Sequence, residues 1–116
     1  MLLSVKRAFK LEGLGLFAVL YHYNVPIEKT KQYIILEKQA VNVYMDHGCL
    51  GVEIYRDAKD PRCWMEINRF KDMQHYNDVI KAVDEDPRIK PLYEEFKSLF
   101  DAEEYQPEKR TFFRMF

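Results

Sequence analysis

The stretch that decides the fold is residues 63–101, CWMEINRFKDMQHYNDVIKAVDEDPRIKPLYEEFKSLFD. It opens with an alternation of apolar and polar residues over 63–70, rich in aromatic and β-branched types, which predicts a strand. Asp72 follows as an N-cap for a helix whose apolar residues recur at helical spacing. Asp86-Pro87 then breaks the pattern, and residues 89–99 resume it, with Pro91 expected to start the regular helix.

The chain before this stretch supplies three more elements. Residues 16–25, LFAVLYHYNV, read as a strand that ends at Pro26. Residues 27–46 show the longest helical pattern, with Gly48 placed as its C-terminal stop. Residues 50–56 alternate again and form a predicted hairpin with 63–70 across the polar turn 57–61.

Residues 111–116, TFFRMF, predict a last strand after an acidic loop at 101–109. The order β-α-β-β-α-β predicts an α+β, ferredoxin-like sandwich with a four-stranded antiparallel sheet and both helical regions on one face. We expect a single domain over 1–116, in which 1–15 form an N-terminal extension of undecided structure. The bare sheet face predicts a homodimer in which a second subunit covers it.

Composition limits the classes of function. The 116 residues carry a net charge of −1, without the positive excess of a nucleic-acid-binding protein. No apolar run reaches the length of a membrane span, and the start does not resemble a signal peptide, so we expect a cytosolic protein without a membrane partner. Aromatic residues make up 15% of the chain, which indicates a ring-rich core, interface or cavity.

The candidate site comes from the alternation of side chains along the strands. One face of the hairpin is predicted to carry Leu50, Val52, Ile54, Cys63, Met65 and Ile67. The other is predicted to carry Glu53, Tyr55, Trp64, Glu66, Asn68 and Phe70. His22 and Asn24 share a parity on the first strand and join this polar face if the pairing is in register.

A cleft with these groups suits a planar aromatic ligand. We predict His22, Glu66 and Asn24 as catalytic residues: His22 or Glu66 as the base, and Asn24 or Asn68 as the oxyanion donor. Tyr55, Trp64 and Asn68 are the predicted substrate-binding residues. The competing interpretation is a solvent-exposed or dimer-facing surface whose carboxylates pair with Lys or Arg.

Metal and redox sites are not expected. The histidines and cysteines have no metal-ligand spacing, so no metal is predicted. Cys49 and Cys63 lie at opposite ends of the predicted hairpin, about 20 Å apart, too far for a disulfide. Nothing resembles a phosphate-binding or dinucleotide-binding loop, which disfavours phosphoryl and hydride transfer.

Three segments resemble the dimeric α/β barrel proteins, in particular the antibiotic-biosynthesis-monooxygenase-like (ABM-like) group. They are LYHYNVP (20–26), the GVEIYRD…CWMEINRF hairpin, and FKDMQHYNDVIKAVDEDPRIKPLYEEF (70–96). The chain departs from the group where Asn68 replaces a frequent Glu. Asn24 corresponds to the first-strand Asn of the haem-degrading members. The chain departs from them because Tyr76 or a neighbour stands in place of their Trp, and Leu92 and Tyr93 occupy the region of their His.

The resemblance implies a homodimer whose two sheets close a barrel, with a pocket between sheet and helices in each subunit. It also implies a cofactor-independent monooxygenase that acts on an aromatic or quinone-like compound without metal or flavin. The alternative is a non-catalytic dimeric module that binds a small molecule or a protein. An enclosed pocket with converging polar groups would favour the enzyme, and a filled interior would favour the module.

Overall fold

The computed structural model describes residues 16–100 and 107–116. Within them the strands are β1 (Phe17–Asn24), β2 (Gly51–Arg56), β3 (Cys63–Phe70) and β4 (Glu108–Phe113). The helices are α1 (Thr30–Asp46), α2 (Met73–Glu85) and α3 (Ile89–Ser98), and a 3₁₀ turn over Ile27–Lys29 precedes α1. The N-terminal extension and most of the acidic loop predicted from the sequence lie outside the described residues.

The sheet has the predicted architecture. Its four strands are antiparallel and run in the order β2-β3-β1-β4. With α1 between β1 and β2, and α2 and α3 between β3 and β4, this is the ferredoxin-like α+β fold.

The ends of the helices follow local chemistry. Asp72 caps α2, because its carboxylate accepts a hydrogen bond of 2.7 Å from the backbone N–H of His75. Gly48 ends α1 in the left-handed region at φ +99°, which costs a glycine little. Asp86 is extended, as a residue before proline prefers, and this separates α2 from α3.

Three boundaries differ from the sequence prediction. Residues 27–29 form a 3₁₀ turn before α1 instead of its first turn. α3 begins at Ile89, ahead of Pro91, because the first-turn positions of a helix do not need the N–H that proline lacks. β4 spans Glu108–Phe113, several residues earlier than predicted, because pairing with β1 selects the segment that the register allows.

The register also corrects the predicted faces. β2 pairs with β3 so that Val52 lies opposite Asn68 and Ile54 opposite Glu66. Val52 and Ile54 therefore share a face with Trp64, Glu66, Asn68 and Phe70, whereas Glu53 and Tyr55 share the opposite face with Cys63, Met65 and Ile67. The predicted grouping was offset by one residue, and one residue is enough to exchange the faces.

The core lies between one sheet face and the helices, and we call this side the helix face. One cluster packs Phe17, Val19 and Phe70 against α1 and α2 residues such as Val43 and Val79. A second packs Tyr23 and Trp64 against Tyr33, Leu36 and Leu99. Both clusters take strand residues of one parity only, so the other side of the sheet, the open face, contributes nothing to them.

Candidate functional site

A cavity of about 540 Å³ lies between the helix face and the helices. We call it the inner pocket. The sheet contributes Tyr21, Tyr23 and Glu66; α1 and the end of α2 contribute Leu36, Glu37, Ala40, Tyr44 and Asp84; α3 contributes Ile89, Lys90, Leu92, Tyr93 and Phe96. Its volume is in the range of small-molecule sites.

Two carboxyl groups meet in this pocket. Glu37 on α1 is hydrogen-bonded to Glu66 on β3, and only 9% of Glu37 is exposed. Burial, and then the negative charge of Glu66, raise the pKa of Glu37 to about 10. Glu37 therefore holds a proton at neutral pH and donates it to Glu66.

Glu66 has a second hydrogen bond that fixes its position. The side-chain amide of Asn68 donates to Glu66 Oε2 at 3.1 Å. Asn68 is 2% exposed, and its Oδ1 is buried with no hydrogen-bond partner among the described residues. A buried amide with one satisfied end has little freedom to rotate away, so Asn68 positions the carboxylate.

Tyrosine hydroxyls surround the carboxyl pair. Burial is the main cause that raises the pKa values of Tyr21, Tyr23 and Tyr44, and nearby carboxyl groups add to it. All three remain protonated hydrogen-bond donors under ordinary conditions. Tyr21 is also hydrogen-bonded to Tyr76, whose hydroxyl accepts a bond of 2.7 Å from Lys109 Nζ.

The structure divides the predicted site between the two faces of the sheet. Glu66 lines the inner pocket, and the Asn68 side chain donates a hydrogen bond to it. Trp64 packs against Tyr33, with 4.8 Å between the ring centres. His22 and Asn24 lie on the open face, because β1 pairs with β3 so that Tyr21, not His22, is opposite Glu66. The expectation that His22 and Asn24 join Trp64 and Glu66 on one face is therefore corrected.

Tyr55 and Glu53 also lie on the open face. The Tyr55 hydroxyl donates to Glu53 at 2.5 Å, and Arg69 pairs with the other oxygen of the same carboxylate at 2.5 Å. These hydrogen bonds, that of Arg69 first, lower the pKa of Glu53. Glu53 therefore lies on the opposite face of the sheet from Glu66, and the carboxyl neighbour of Glu66 is Glu37.

Sequence reasoning missed Glu37 and Tyr44 as site residues. The sequence did contain a signal, because Glu37 interrupts the apolar stripe of Tyr33, Leu36, Ala40 and Tyr44 on α1. A carboxyl group within a stripe that packs on a sheet must be buried with a partner or lie in a cavity.

Other kinds of site receive no support within residues 16–100 and 107–116. No cluster of three or more His, Cys, Asp or Glu side chains in these ranges has the arrangement of a metal site. Cys49 and Cys63 are both free thiols. None of the helices described has the length and hydrophobicity needed to span a bilayer.

Comparisons with known proteins find solved structures with a similar fold. No protein-family profile matches the chain. No curated protein matches it by sequence either. A conserved protein from Methanosarcina mazei Go1 superposes with a TM-score of 0.71 at 15% identity, over 90% of this chain and 98% of that one.

Two further matches have described activities. SnoaB from Streptomyces nogalater, a cofactor-independent oxygenase, matches with a TM-score of 0.64 at 10% identity, over 83% of this chain and 89% of its own. An antibiotic biosynthesis monooxygenase matches with a TM-score of 0.60 at 14% identity, over 82% and 92%. The chain has an ABM-like fold. At these identities the structural similarity confirms the architecture predicted from the sequence. Conclusions about chemistry must be drawn from the residues of the inner pocket.

Proposed function

We propose that this ABM-like protein is a cofactor-independent monooxygenase that acts on a planar phenolic or quinone-like compound bound in the inner pocket. The observation that carries the proposal is the Glu37–Glu66 pair inside a cavity lined mainly by aromatic and aliphatic side chains. Glu66 is a carboxylate fixed in position at the pocket wall, and a positioned carboxylate can act as a general base toward a bound substrate. SnoaB, which shares the fold, is described as a cofactor-independent oxygenase.

The reaction needs only the substrate and dioxygen. Glu66 accepts the phenolic proton, and the phenolate becomes nucleophilic at a ring carbon that bears one hydrogen. This carbon bonds to dioxygen, which takes two electrons and becomes a peroxide that recovers the proton from Glu66. The hydroperoxide then loses water as the C–H proton leaves and the O–O bond breaks. One oxygen atom ends in the quinone carbonyl and the other in water.

The neighbours of Glu66 have distinct parts in this scheme. Glu37 shares its proton with Glu66 and stabilises the carboxylate before the substrate binds. Asn68 is a positioning residue that holds Glu66 Oε2. Tyr21 and Tyr44 line the same pocket, and their hydroxyls are the proposed donors for the oxyanion. His22, Asn24 and Tyr55 have no part in this scheme, because they lie on the opposite face of the sheet.

The proposal includes a homodimer and a cytosolic location. The open face carries Leu20, Met65 and Ile67, which are half-buried in a single chain, and Tyr55 and Phe112, which are exposed. A second copy of the chain, packed open face to open face, removes this apolar surface from water.

The test is dioxygen uptake in the presence of anthrone or 1-naphthol, whose ionised forms have the required nucleophilic carbon, measured against the rate without protein. We expect Glu66→Gln to lower kcat by about 10²–10⁴-fold, the usual contribution of a general base. His22→Gln is the matched control on the open face, and we expect it to retain the rate.

Two results would contradict the proposal. A Glu66→Gln variant with undiminished turnover would exclude the carboxyl pair as the base. Binding of these compounds without any dioxygen uptake would assign the pocket to a non-catalytic binding module instead.

A further inference from the structure

The inner pocket has an unbalanced charge. Three carboxyl side chains line it, those of Glu37, Glu66 and Asp84, against one basic side chain, that of Lys90. Asp84 and Lys90 are both exposed and lie at the mouth, whereas Glu37 and Glu66 lie inside. Because Glu37 keeps its proton and donates it to Glu66, the inner pair holds one negative charge.

Among the described residues, Lys90 is the one basic residue of the lining, and it lies exposed at the mouth with Asp84, so no basic residue inside the pocket offsets this charge. Asn68 donates a hydrogen bond to Glu66, but an amide carries no net charge. The ammonium group of Lys109 lies 5.9 Å from the centre of the Tyr21 ring, but it binds the Tyr76 hydroxyl and does not line the pocket. Glu66 is half-buried, and a carboxylate withdrawn from water without a cationic partner is poorly compensated, so a bound ligand that brings a positive charge gains from that deficit.

The walls of the pocket suit a cation as well. Five aromatic side chains line it: Tyr21, Tyr23, Tyr44, Tyr93 and Phe96. The faces of aromatic rings attract organic cations, and the attraction is stronger when water is excluded. Rings and a carboxylate around one cavity form a common arrangement for the recognition of amines.

We propose that the ligand of the inner pocket carries a positively charged amine in addition to its aromatic ring, so that phenolic amines are preferred to neutral or acidic phenols. The inference rests on one part of the proposed function, that the ligand binds in the inner pocket. It does not require that the ligand is oxygenated. It also fits the proton transfer, because the amine offsets the charge on Glu66 before the step and the charge on the phenolate after it.

The test compares three phenols that differ mainly in charge: tyramine, 4-ethylphenol and 3-(4-hydroxyphenyl)propanoate. Their affinities are measured by isothermal titration calorimetry at pH 7 with the full chain. We expect tyramine to bind at least about tenfold more tightly than 4-ethylphenol, a difference of about 1.4 kcal/mol. We expect the propanoate to bind most weakly of the three.

A variant then locates the effect. Glu66→Gln is expected to weaken the binding of tyramine but not that of 4-ethylphenol, so that the two affinities become similar. Glu94→Gln, on the exposed surface of α3 and away from the pocket lining, is the matched control and should keep the preference. Circular dichroism verifies that each variant is folded, and the comparison of ligands on the unaltered chain needs no variant.

The outcomes separate this inference from the proposed function. Equal binding of tyramine and 4-ethylphenol, tightest binding of the propanoate, or no binding of any of the three at millimolar concentration would overturn the inference. Charge-selective binding of tyramine with no dioxygen uptake for any phenol would support the inference and contradict the monooxygenase proposal.

Discussion

Glu37 is the residue of the site whose protonation differs most clearly from that of an exposed carboxyl group. It lies on α1, faces the sheet, and is hydrogen-bonded to Glu66 within an apolar pocket. Its pKa rises from 4.5 to about 10, with burial as the main cause and Glu66 as the second. The folded chain therefore keeps a proton that the unfolded chain releases at neutral pH.

This proton predicts how stability depends on pH. Between pH 4.5 and about 10 the folded state binds more protons at Glu37 than the unfolded state does, so the free energy of unfolding falls as pH rises. The slope from one proton is at most about 1.4 kcal/mol per pH unit. We expect Glu37→Gln to flatten the profile and to be more stable than the parent at pH 8.5, as measured by urea denaturation at pH 5.5, 7.0 and 8.5.

The matched control is Glu94→Gln on the exposed surface of α3, which should leave the slope unchanged. A parent profile that is flat, or that rises over this range, would show that Glu37 is ionised in the folded chain.

At the scale of elements, the site depends on how the helices are held against the sheet. α1 supplies Glu37 and Tyr44, and α3 supplies the opposite wall through Tyr93 and Phe96. The segment between α2 and α3 is fixed by Asp86, which pairs with His47 beyond the end of α1 at 2.8 Å and with Arg88 at 2.8 Å. These contacts tie α3 to the end of α1 and keep the pocket walls together.

The start of α2 provides a test of element stability. Replacing the N-cap Asp72 with Ala removes the acceptor for the His75 N–H, and we expect a loss of about 1 kcal/mol in the free energy of unfolding. Asp72→Asn is the control and should retain most of the stability, because asparagine is an equally good cap. Equal losses in both variants, measured by urea denaturation, would assign the effect to charge instead of capping.

At the scale of the whole molecule, the two faces of the sheet have opposite surroundings. The helix face holds both core clusters and the inner pocket, while Leu20 and Ile67 are cross-strand partners on the open face. A chain of 116 residues gains proportionally more than a larger one from covering such a face. This is the physical reason for the proposed dimer.

The dimer predicts a mass of twice the 14.0 kDa subunit by light scattering at micromolar concentration. Ile67→Lys places a charge at the centre of the open face, and we expect it to give monomers. Ile35→Lys is the matched control, since Ile35 is 54% exposed on α1 and should not affect assembly. A parent chain that is strictly monomeric would exclude this assembly.

Local patterns were enough to predict most of the fold. β3 was predicted at its observed bounds, and β1, β2 and α2 within about one residue, since alternation, capping and proline effects act over a few neighbouring residues. The predicted strand at 111–116 was displaced, because nothing local determines which residues of that segment pair with β1. Glu66 lines the inner pocket, whereas His22, Asn24 and Tyr55 lie on the open face.

The amino-acid sequence alone determined the elements, their order and hence the ferredoxin-like fold, because each element depends on interactions between residues close in the chain. Only the tertiary structure decided which side chains meet. The pairing of β1 with β3 places His22 and Asn24 on the open face, and the pairing of β2 with β3 places Tyr55 there, while Glu66 faces the helices. A shift of one residue would exchange the faces. The meeting of Glu37 with Glu66 likewise required α1 to pack across the sheet, which no local pattern specifies.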